Sequence, residues 1–358
     1  MAEHAADNAL NAGAAEGASD PEVRGRGPVY AAIDLGTNNC RLLVARPDGR
    51  GGFRVVDAFS RVVRLGDGLA HSGVLGEAAQ QRAIEALAVC AQRLVRRHVT
   101  HVRAIATEAV RKAANGAAFL ARVRAETGLV LEMIGAAEEA QLAVDGCLAL
   151  LDPAFAQAMV FDIGGGSTEV AWLDVLGPNR ARVRAWISLP LGVVTLADRH
   201  GGVDVSPQTY AAMVTETRQA LAEFDARHGI DASMAAEALQ MIGTSGTVTT
   251  LAGVHLGLRR YDRARIDGVW MSDRDMRAVA DRLIAMPFEA RVAEPCVGRE
   301  RADLVIPGCA VLEGIVATWP TPRLRVADRG LREGILLGLM QAENRGGQGT
   351  PEGGRLSA

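Results

Sequence analysis

The sequence lacks the features that define several common protein classes. Its 358 residues include one lysine, Lys112, which follows an arginine, so the G-x-x-x-x-G-K-[ST] loop of Walker-type NTPases is excluded. No apolar run reaches the roughly 18–20 residues that span a bilayer, and the N-terminus has no apolar signal core. The five cysteines are scattered and never form C-x-x-C, which disfavours a disulfide framework or a zinc knuckle. We therefore expect a cytoplasmic protein with no membrane partner.

The charge totals and missing motifs exclude further classes. The chain carries 39 basic and 42 acidic residues, a formal net charge of −3. Proteins that hold duplex DNA usually have a basic excess, so we expect no DNA partner. G-x-S-x-G and G-x-G-x-x-G are both absent, which disfavours a serine-hydrolase elbow and a Rossmann fold. A small polyanion held in one local pocket remains compatible with these totals.

Strand-like and helical patterns alternate along the chain, which predicts a mixed α/β protein. The length favours two domains. Residues 1–28 and 344–358 have no periodicity, and we predict that they are disordered tails. We also predict one helix over 108–126, a strand over 129–134 and a helical region from Arg299 that is interrupted at Pro307–Gly308.

Two segments of the chain have the same outline, which indicates an internal duplication. Residues 30–46 and 158–174 each read as an apolar strand ending in aspartate, a small polar turn with glycine, and another apolar strand. Asp34 corresponds to Asp162 at a separation of 128 residues, about one domain. Two such hairpins predict a ligand held between duplicated halves.

The composition of these turns is typical of phosphate binding. Glycines let the backbone approach a ligand and offer N–H groups to phosphate oxygens. A leading aspartate repels phosphate unless a divalent cation or a water lies between them. A third turn, Gly243-Thr-Ser-Gly-Thr247, lies between a strand and a helix, where backbone donors and the helix dipole favour an anion. A single turn of this type is common in proteins, so the prediction depends on all three together.

Two further groups of residues allow either a functional or a purely structural interpretation. Glu138 and Glu139 begin a predicted helix, where acidic residues interact well with the dipole, and one of them could instead be a general base for water. Arg111 and Asn115 are four residues apart on a predicted helix and could hold a phosphate or lie on a solvated surface.

With these motifs the sequence resembles the Ppx/GppA family of exopolyphosphatases and guanosine pentaphosphate phosphohydrolases, part of the actin/hexokinase/Hsp70-like superfamily. The motifs that carry the resemblance occur in order over nearly the whole predicted ordered chain: Asp34-Leu-Gly-Thr-Asn38, Arg64-Leu-Gly-Asp-Gly-Leu69, Ala106-Thr-Glu-Ala-Val-Arg111 with Asn115, Glu138-Glu-Ala140, Asp162-Ile-Gly-Gly-Gly-Ser-Thr-Glu169, Gly243-Thr-Ser-Gly-Thr247, Pro307-Gly-Cys-Ala310 and Asp328-Arg-Gly-Leu-Arg-Glu-Gly334. Each motif is weak alone, and their order makes the signal specific.

The resemblance implies duplicated actin-like (ribonuclease H-like) α/β domains with an interdomain cleft. Domain I would comprise 29–138 together with about 328–343, and domain II would comprise 139–327. The chain ends soon after the final predicted helix, as in short two-domain members, and a homodimer is left open.

The resemblance also implies roles for individual residues. Glu139, the second residue of the E-E-A triplet, would be catalytic, and Asp162 and Glu169 would hold Mg²⁺ or another divalent cation. The residues expected to bind phosphate are Asp34, Gly36, Thr37, Asn38, Arg64, Arg111, Asn115, Gly164, Gly165, Gly166, Ser167, Thr168, Gly243 and Ser245.

The implied activity is removal of the terminal phosphate from inorganic polyphosphate, conversion of pppGpp to ppGpp, or both, because both substrates present the same terminal group. The alternative is a sensor that binds polyphosphate or guanosine tetra- or pentaphosphate without turnover. Its motivation is Gly135-Ala-Ala137, which stands where the family usually has Ser-Gly-x. A sugar kinase of the same superfamily is disfavoured by the E-E-A triplet.

Overall fold

The computed structural model describes residues 27–49, 51–230 and 239–346. The predicted tails lie outside these residues, except at 27–28 and at 344–346, where the last helix continues to Gly346. The described strands are β1 (Tyr30–Leu35), β2 (Asn39–Pro47), β3 (Phe53–Val62), β4 (His101–Ala106), β5 (Glu132–Met133), β6 (Gln157–Ile163), β7 (Thr168–Gly177), β8 (Arg180–Leu189), β9 (Leu239–Thr244), β10 (Trp270–Ser272) and β11 (Arg323–Ala327). The described α-helices are α1 (Leu69–Ser72), α2 (Glu77–Arg96), α3 (Glu108–Lys112), α4 (Gly116–Thr127), α5 (Ala136–Cys147), α6 (Val193–His200), α7 (Pro207–His228), α8 (Ser245–His255), α9 (Arg263–Ile266), α10 (Asp273–Ala285), α11 (Phe288–Ala293), α12 (Val305–Thr318) and α13 (Leu331–Gly346).

The strands form two sheets, which confirms the predicted mixed α/β class. The first sheet has the order β3-β2-β1-β4-β5 and the second β10-β11-β9-β6-β7-β8. In the first sheet, β1 is antiparallel to β2 and parallel to β4. In the second sheet, β6 is antiparallel to β7 and parallel to β9. In both sheets the chain passes through helices before it reaches the parallel strand. Parallel neighbours require such crossovers, so both halves follow one construction.

The hydrogen-bonded register repeats the sequence duplication residue by residue. Asp34 pairs with Arg41 in the first hairpin, and Asp162 pairs with Glu169 in the second. Both pairs are related by the same 128-residue shift seen in the sequence. The predicted duplication is therefore confirmed down to strand pairing.

Two helices join the sheets near the cleft. Helix α13 returns from the end of the chain to the first sheet, where Ile335 and Leu336 pack with Tyr30 and Leu43. Helix α5 covers the second sheet, and the two helices cross closely: a Cβ on Gly146 of α5 would lie 1.9 Å from the carbonyl oxygen before α13. Only glycine fits that approach, so the crossing fixes α5 relative to the first sheet. The domain limits at 138/139 and 327/328 stay predictions.

Three local predictions were wrong in detail. The single helix predicted over 108–126 is broken into α3 and α4 by an extended residue, Ala113. The strand predicted over 129–134 pairs only at Glu132–Met133. The helical region begins at Val305, and Pro307 does not interrupt it, because first-turn N–H groups need no helical acceptor.

All five cysteines are free and buried. Within the described ranges, no helix is long and apolar enough to cross a membrane.

Candidate active site

The three turns predicted to bind phosphate converge on one pocket. They follow the ends of β1, β6 and β9, three strands that enter the cleft from the two sheets. The pocket is lined by Asn38, Asn39, Arg41, Ile163, Gly164, Gly165, Val193, Ser245, Gly246, Thr247, Thr250, Arg301, Leu304 and Val305. Residues that are far apart in sequence thus share one concave surface.

The first two turns touch each other across the cleft. A Cβ on Gly165 would lie 3.1 Å from Thr37 Cβ and 3.2 Å from the Asn38 nitrogen. The turns also have the same internal hydrogen bond, 2.9 Å long, from the N–H of Gly36 to Asn39 and from that of Gly164 to Ser167. The hairpins therefore face each other as predicted.

The third turn enters the site through a strained residue. Ser245 has φ 83°, in the left-handed region that a side chain rarely adopts. Its side chain hydrogen-bonds to Asp162. Strained residues persist where the surroundings fix them, and they cluster at functional sites.

Glu139 lies in the first turn of α5, beside these loops. Its N–H donates to the carbonyl of Gly135 at 3.0 Å, and Gly135 has ordinary extended angles of φ −78° and ψ 161°. The Gly135-Ala-Ala137 departure thus gives a regular helix start. The Glu139 side chain is only 13% exposed, and its carboxylate lies 3.2 Å from the Arg111 guanidinium.

Four buried carboxyl groups repel one another at this place, so their pKa values are raised. The pKa of Glu139 is raised to about 9, mainly by burial and then by the charge of Glu169. Asp34 and Asp162 add smaller contributions, and Arg111 opposes the rise. Burial and Asp162 raise the pKa of Glu169 to about 7, and burial raises the pKa of Asp162 to about 6. The pKa of Asp34 is raised by burial as well. Perturbed carboxyl groups in a cleft are typical of catalytic sites.

The residues fit a divalent cation held jointly with substrate. Among the described residues, no group of three or more acidic, histidine or cysteine side chains is arranged to hold a metal by itself. Mg²⁺ usually takes one or two carboxylates and completes its shell with water and substrate phosphates. Asp162 and Glu169 form no salt bridge in the described part of the chain, and Ser188 orients Glu169 with a 2.7 Å hydrogen bond. Burial and repulsion between carboxylates raise their pKa values, and a bound cation would offset that repulsion.

Glu108 belongs to the site but was missed in the sequence. It forms ion pairs with Arg111 and, at 2.6 Å, with Lys112, and it is 7% exposed. A Cβ on Gly166 would lie 3.1 Å from its Cγ, so it also packs against the second turn. Arg111 is therefore held between Glu108 and Glu139 beside the pocket.

Two predicted phosphate ligands are engaged elsewhere in this structure. Both amide atoms of Asn115 are hydrogen-bonded to the backbone of Leu75, at 2.8 and 3.0 Å. Arg64 reaches across the cleft and pairs with Asp303. Their contacts with phosphate stay predictions.

Two other predicted residues lie beneath the turns. Thr168 is fully buried, and its hydroxyl donates to the carbonyl of Leu191 at 2.7 Å. Gly243 packs against the ring of Phe161, where a Cβ would lie 2.6 Å from the ring carbon. The structure gives both residues a supporting position below the pocket.

The pocket contains two arginines that the sequence motifs did not identify. Arg41 occupies the position in the first hairpin that Glu169 occupies in the second. Arg301 donates to the Thr250 hydroxyl at 3.3 Å, and Arg41 contributes to the lowering of its pKa after burial. Applying the 128-residue shift to Glu169 would have identified Arg41. Arg301 lies in an irregular turn that carries no periodic signal.

Comparisons with known proteins agree with this architecture. The sequence model of the Ppx/GppA phosphatase family matches residues 43–343. Exopolyphosphatase 2 of Mycobacterium tuberculosis is 32% identical over 325 residues, which cover 86% of this chain and 98% of the relative. A putative exopolyphosphatase of Haemophilus influenzae is 26% identical over 322 residues, covering 89% and 94%.

Solved structures share the fold over most of the chain. An exopolyphosphatase from Cytophaga hutchinsonii superimposes with a TM-score of 0.79 at 25% identity, covering 88% of this chain and 98% of that one. The Ppx/GppA family member of Aquifex aeolicus gives a TM-score of 0.71 at 27% identity, covering 88% and 99%. The duplicated actin-like fold predicted from the motifs is confirmed, and the chain belongs to the Ppx/GppA phosphatase family.

Proposed function

We propose that this protein is a phosphohydrolase that releases the terminal phosphate of inorganic polyphosphate, with pppGpp as a second substrate of the same site. The observation that carries the proposal is the position of Glu139, a buried carboxyl group in the first turn of α5 beside two facing glycine turns. The curated relatives are named exopolyphosphatases, which supports the same substrate class.

In this reaction the turns bind the terminal phosphoryl group and Glu139 acts on water. Backbone N–H groups of the first two turns and of Ser245 offset charge on the phosphoryl oxygens. Glu139 orients a water in line with the breaking P–O bond and accepts its proton. Arg111, 3.2 Å from Glu139, favours the ionised carboxylate that this step needs.

A divalent cation would be held by Asp162 and Glu169, with Asp34 close by. When bound, Mg²⁺ would neutralise charge on the transferred phosphoryl group and on the leaving oxygen. Its charge would also lower the pKa of the neighbouring carboxyl groups, which brings Glu139 toward its ionised form at neutral pH.

The remaining predictions follow from this substrate class. Conversion of pppGpp to ppGpp would connect the protein to the stringent response. We expect the protein to act in the cytoplasm and to have no DNA partner. A homodimer stays a prediction.

The test is phosphate release from polyphosphate and from pppGpp with Mg²⁺, comparing wild type with Glu139→Gln. Loss of a general base usually costs about 10²- to 10⁴-fold in rate. Glu138→Gln is the matched control, because Glu138 is the neighbouring glutamate, is 46% exposed and pairs with Arg103. We expect the control to retain wild-type turnover.

The outcomes separate the two functional interpretations. Turnover that needs Glu139 and not Glu138 supports the hydrolase. Equal rates for all three proteins would defeat the proposed base. Tight binding of pppGpp by wild type without turnover would instead favour the sensor.

A further inference from the structure

One surface of the first sheet concentrates arginines around a single buried carboxylate. Asp57 of β3 is 8% exposed and contacts three guanidinium groups of the α2 end, those of Arg93 at 2.8 Å, Arg97 at 2.8 Å and Arg96 at 3.5 Å. These contacts keep the pKa of Asp57 below its usual value despite partial burial. Asp57 therefore stays ionised and holds three cations together, and these side chains keep part of their surface in solvent, 29% for Arg93, 64% for Arg96 and 42% for Arg97.

The cluster continues toward the cleft through Arg61 and Arg82. The guanidinium groups of Arg61 and Arg93 both contact the Phe59 ring, at 5.4 and 5.1 Å from its centroid. On α2, Arg82 precedes Arg93 by eleven residues, three helical turns, and so lies on the same face. We call these five side chains, Arg61, Arg82, Arg93, Arg96 and Arg97, the arginine track.

The track ends at the mouth of the active site. Arg82 donates to the carbonyls of Val63 and Arg64, at 2.8 and 3.2 Å, in the loop that leads to the cleft. Val62 ends β3, and Arg64, two residues later, pairs across the cleft with Asp303, which precedes the pocket residue Leu304. Asp57 lies five positions before Val62 on this strand, or roughly 17 Å at about 3.3 Å per residue.

The track has an excess of positive charge that its own carboxylates do not cancel. Four of its five guanidinium groups pair with one of two carboxylates, Asp57 and Asp67. The acidic residue between Arg82 and Arg93 on this helix, Glu85, is bonded to Gln81 at 3.2 Å. Guanidinium groups bind phosphate oxygens with paired, charge-assisted hydrogen bonds. A linear chain of phosphates matches a linear row of such groups that starts beside the pocket.

We propose that the arginine track binds the distal part of a long polyphosphate chain whose end lies in the active site. The proposal rests on the proposed function and adds a second binding region to it. Tripolyphosphate fills only the pocket, whereas a chain of many phosphates extends onto the track. The track thus selects for chain length through KM and leaves the chemical step unchanged.

The experiment compares wild type with Arg96→Ala/Arg97→Ala on two substrates, tripolyphosphate and polyphosphate of about a hundred units. Exposed ion pairs are worth up to about 1 kcal/mol each, so we expect KM for the long chain to rise roughly five- to tenfold. We expect kcat on both substrates and KM for tripolyphosphate to stay at wild-type values. The effect should shrink as salt is added, because salt screens exposed charges.

The matched control is Arg182→Ala/Arg184→Ala on β8, which also removes two arginines beside one carboxylate, Asp174. This control should leave both KM values unchanged. An unchanged KM for the long chain in the track variant would overturn the proposal, as would an equal rise for both substrates or an equal effect of the control.

Failure of the proposed function gives a different result. In that case wild type turns over neither substrate, and the track is tested by direct titration of the long chain into each protein. Weaker binding only in Arg96→Ala/Arg97→Ala supports the track, and equal binding by all three proteins rejects it.

Discussion

Arg64 and Asp303 form a two-point ion pair across the cleft, with guanidinium-to-carboxylate distances of 2.8 and 2.9 Å. Arg64 follows β3 of the first sheet, and Asp303 precedes α12, which packs on the second sheet. Arg64 also has φ 46°, so its backbone is held in the left-handed region. The pair connects the two halves at the rim of the pocket.

This pair predicts measurable coupling between the halves. Both side chains are partly exposed, at 33% and 22%, so we expect a coupling energy of about 0.5–1 kcal/mol in a double-mutant cycle of Arg64→Ala and Asp303→Ala. The measurement is urea unfolding of the four proteins. Additive effects would show that the pair contributes nothing to stability. If Arg64 also binds phosphate, Arg64→Ala raises KM for substrate and Asp303→Ala does not.

The raised pKa of Glu139 predicts how stability changes with pH. The folded protein holds this proton up to a pKa of about 9, whereas an exposed glutamate releases it near 4.5. Between these values the folded state binds more protons than the unfolded state, so stability falls as pH rises. Glu139→Gln removes this titration and should flatten the decline in melting temperature between about pH 5 and 9, measured in EDTA. An unchanged slope would contradict the buried, protonated state of Glu139.

Contact between the two turns predicts that Gly165 cannot be enlarged. In Gly165→Ala the new methyl group meets Thr37 and Asn38 at 3.1–3.2 Å, which forces the turns apart. Small displacements of a catalytic constellation are costly, so we expect kcat to fall about tenfold or more, with a loss of about 1–3 kcal/mol in unfolding free energy. Gly76→Ala is the control, because Gly76 has φ −68° and open space around its Cβ position. Equal kcat in both variants would argue against the contact.

Cation binding at Asp162 and Glu169 predicts stabilisation by Mg²⁺ with phosphate. A ligand at about a hundred times its Kd stabilises the folded state by about 2.7 kcal/mol, so the melting temperature of wild type should rise. Asp162→Asn should lose most of this rise. Asp145→Asn should keep it, because Asp145 also has a raised pKa, from burial, but is bonded to Gln141 away from the turns. A full rise in Asp162→Asn would remove Asp162 from the cation site.

The parts of the fold that could be predicted are those with local chemical causes. Asp34 and Asp162 each come at the end of an apolar strand and are followed by glycine and small polar residues, a pattern that predicts a turn. The equal spacing of the two hairpins then predicts their pseudo-symmetric placement. Local propensity wrongly predicted a helix break at Pro307. Proline is tolerated in the first turn of a helix, and the sequence does not show where that turn begins.

The parts of the site that could not be predicted depend on long-range packing. Asn115 matched a motif, but its side-chain amide is hydrogen-bonded to the backbone of Leu75, forty residues away. Arg64 meets a partner 239 residues later in the chain. Arg301 reaches the pocket from an irregular segment whose path is set by the elements around it. Such contacts are decided by tertiary geometry, which composition and periodicity do not contain.

The return of α13 to the first sheet has a consequence for synthesis of the chain. One face of β1, including Tyr30 and Ala32, is covered by Ile335, Leu336 and Met340, near the other end of the sequence. A ribosome makes the strands of the first sheet well before this covering helix. The first sheet therefore leaves the ribosome with an apolar face open, and that face closes only after Leu331–Gly346 has been translated.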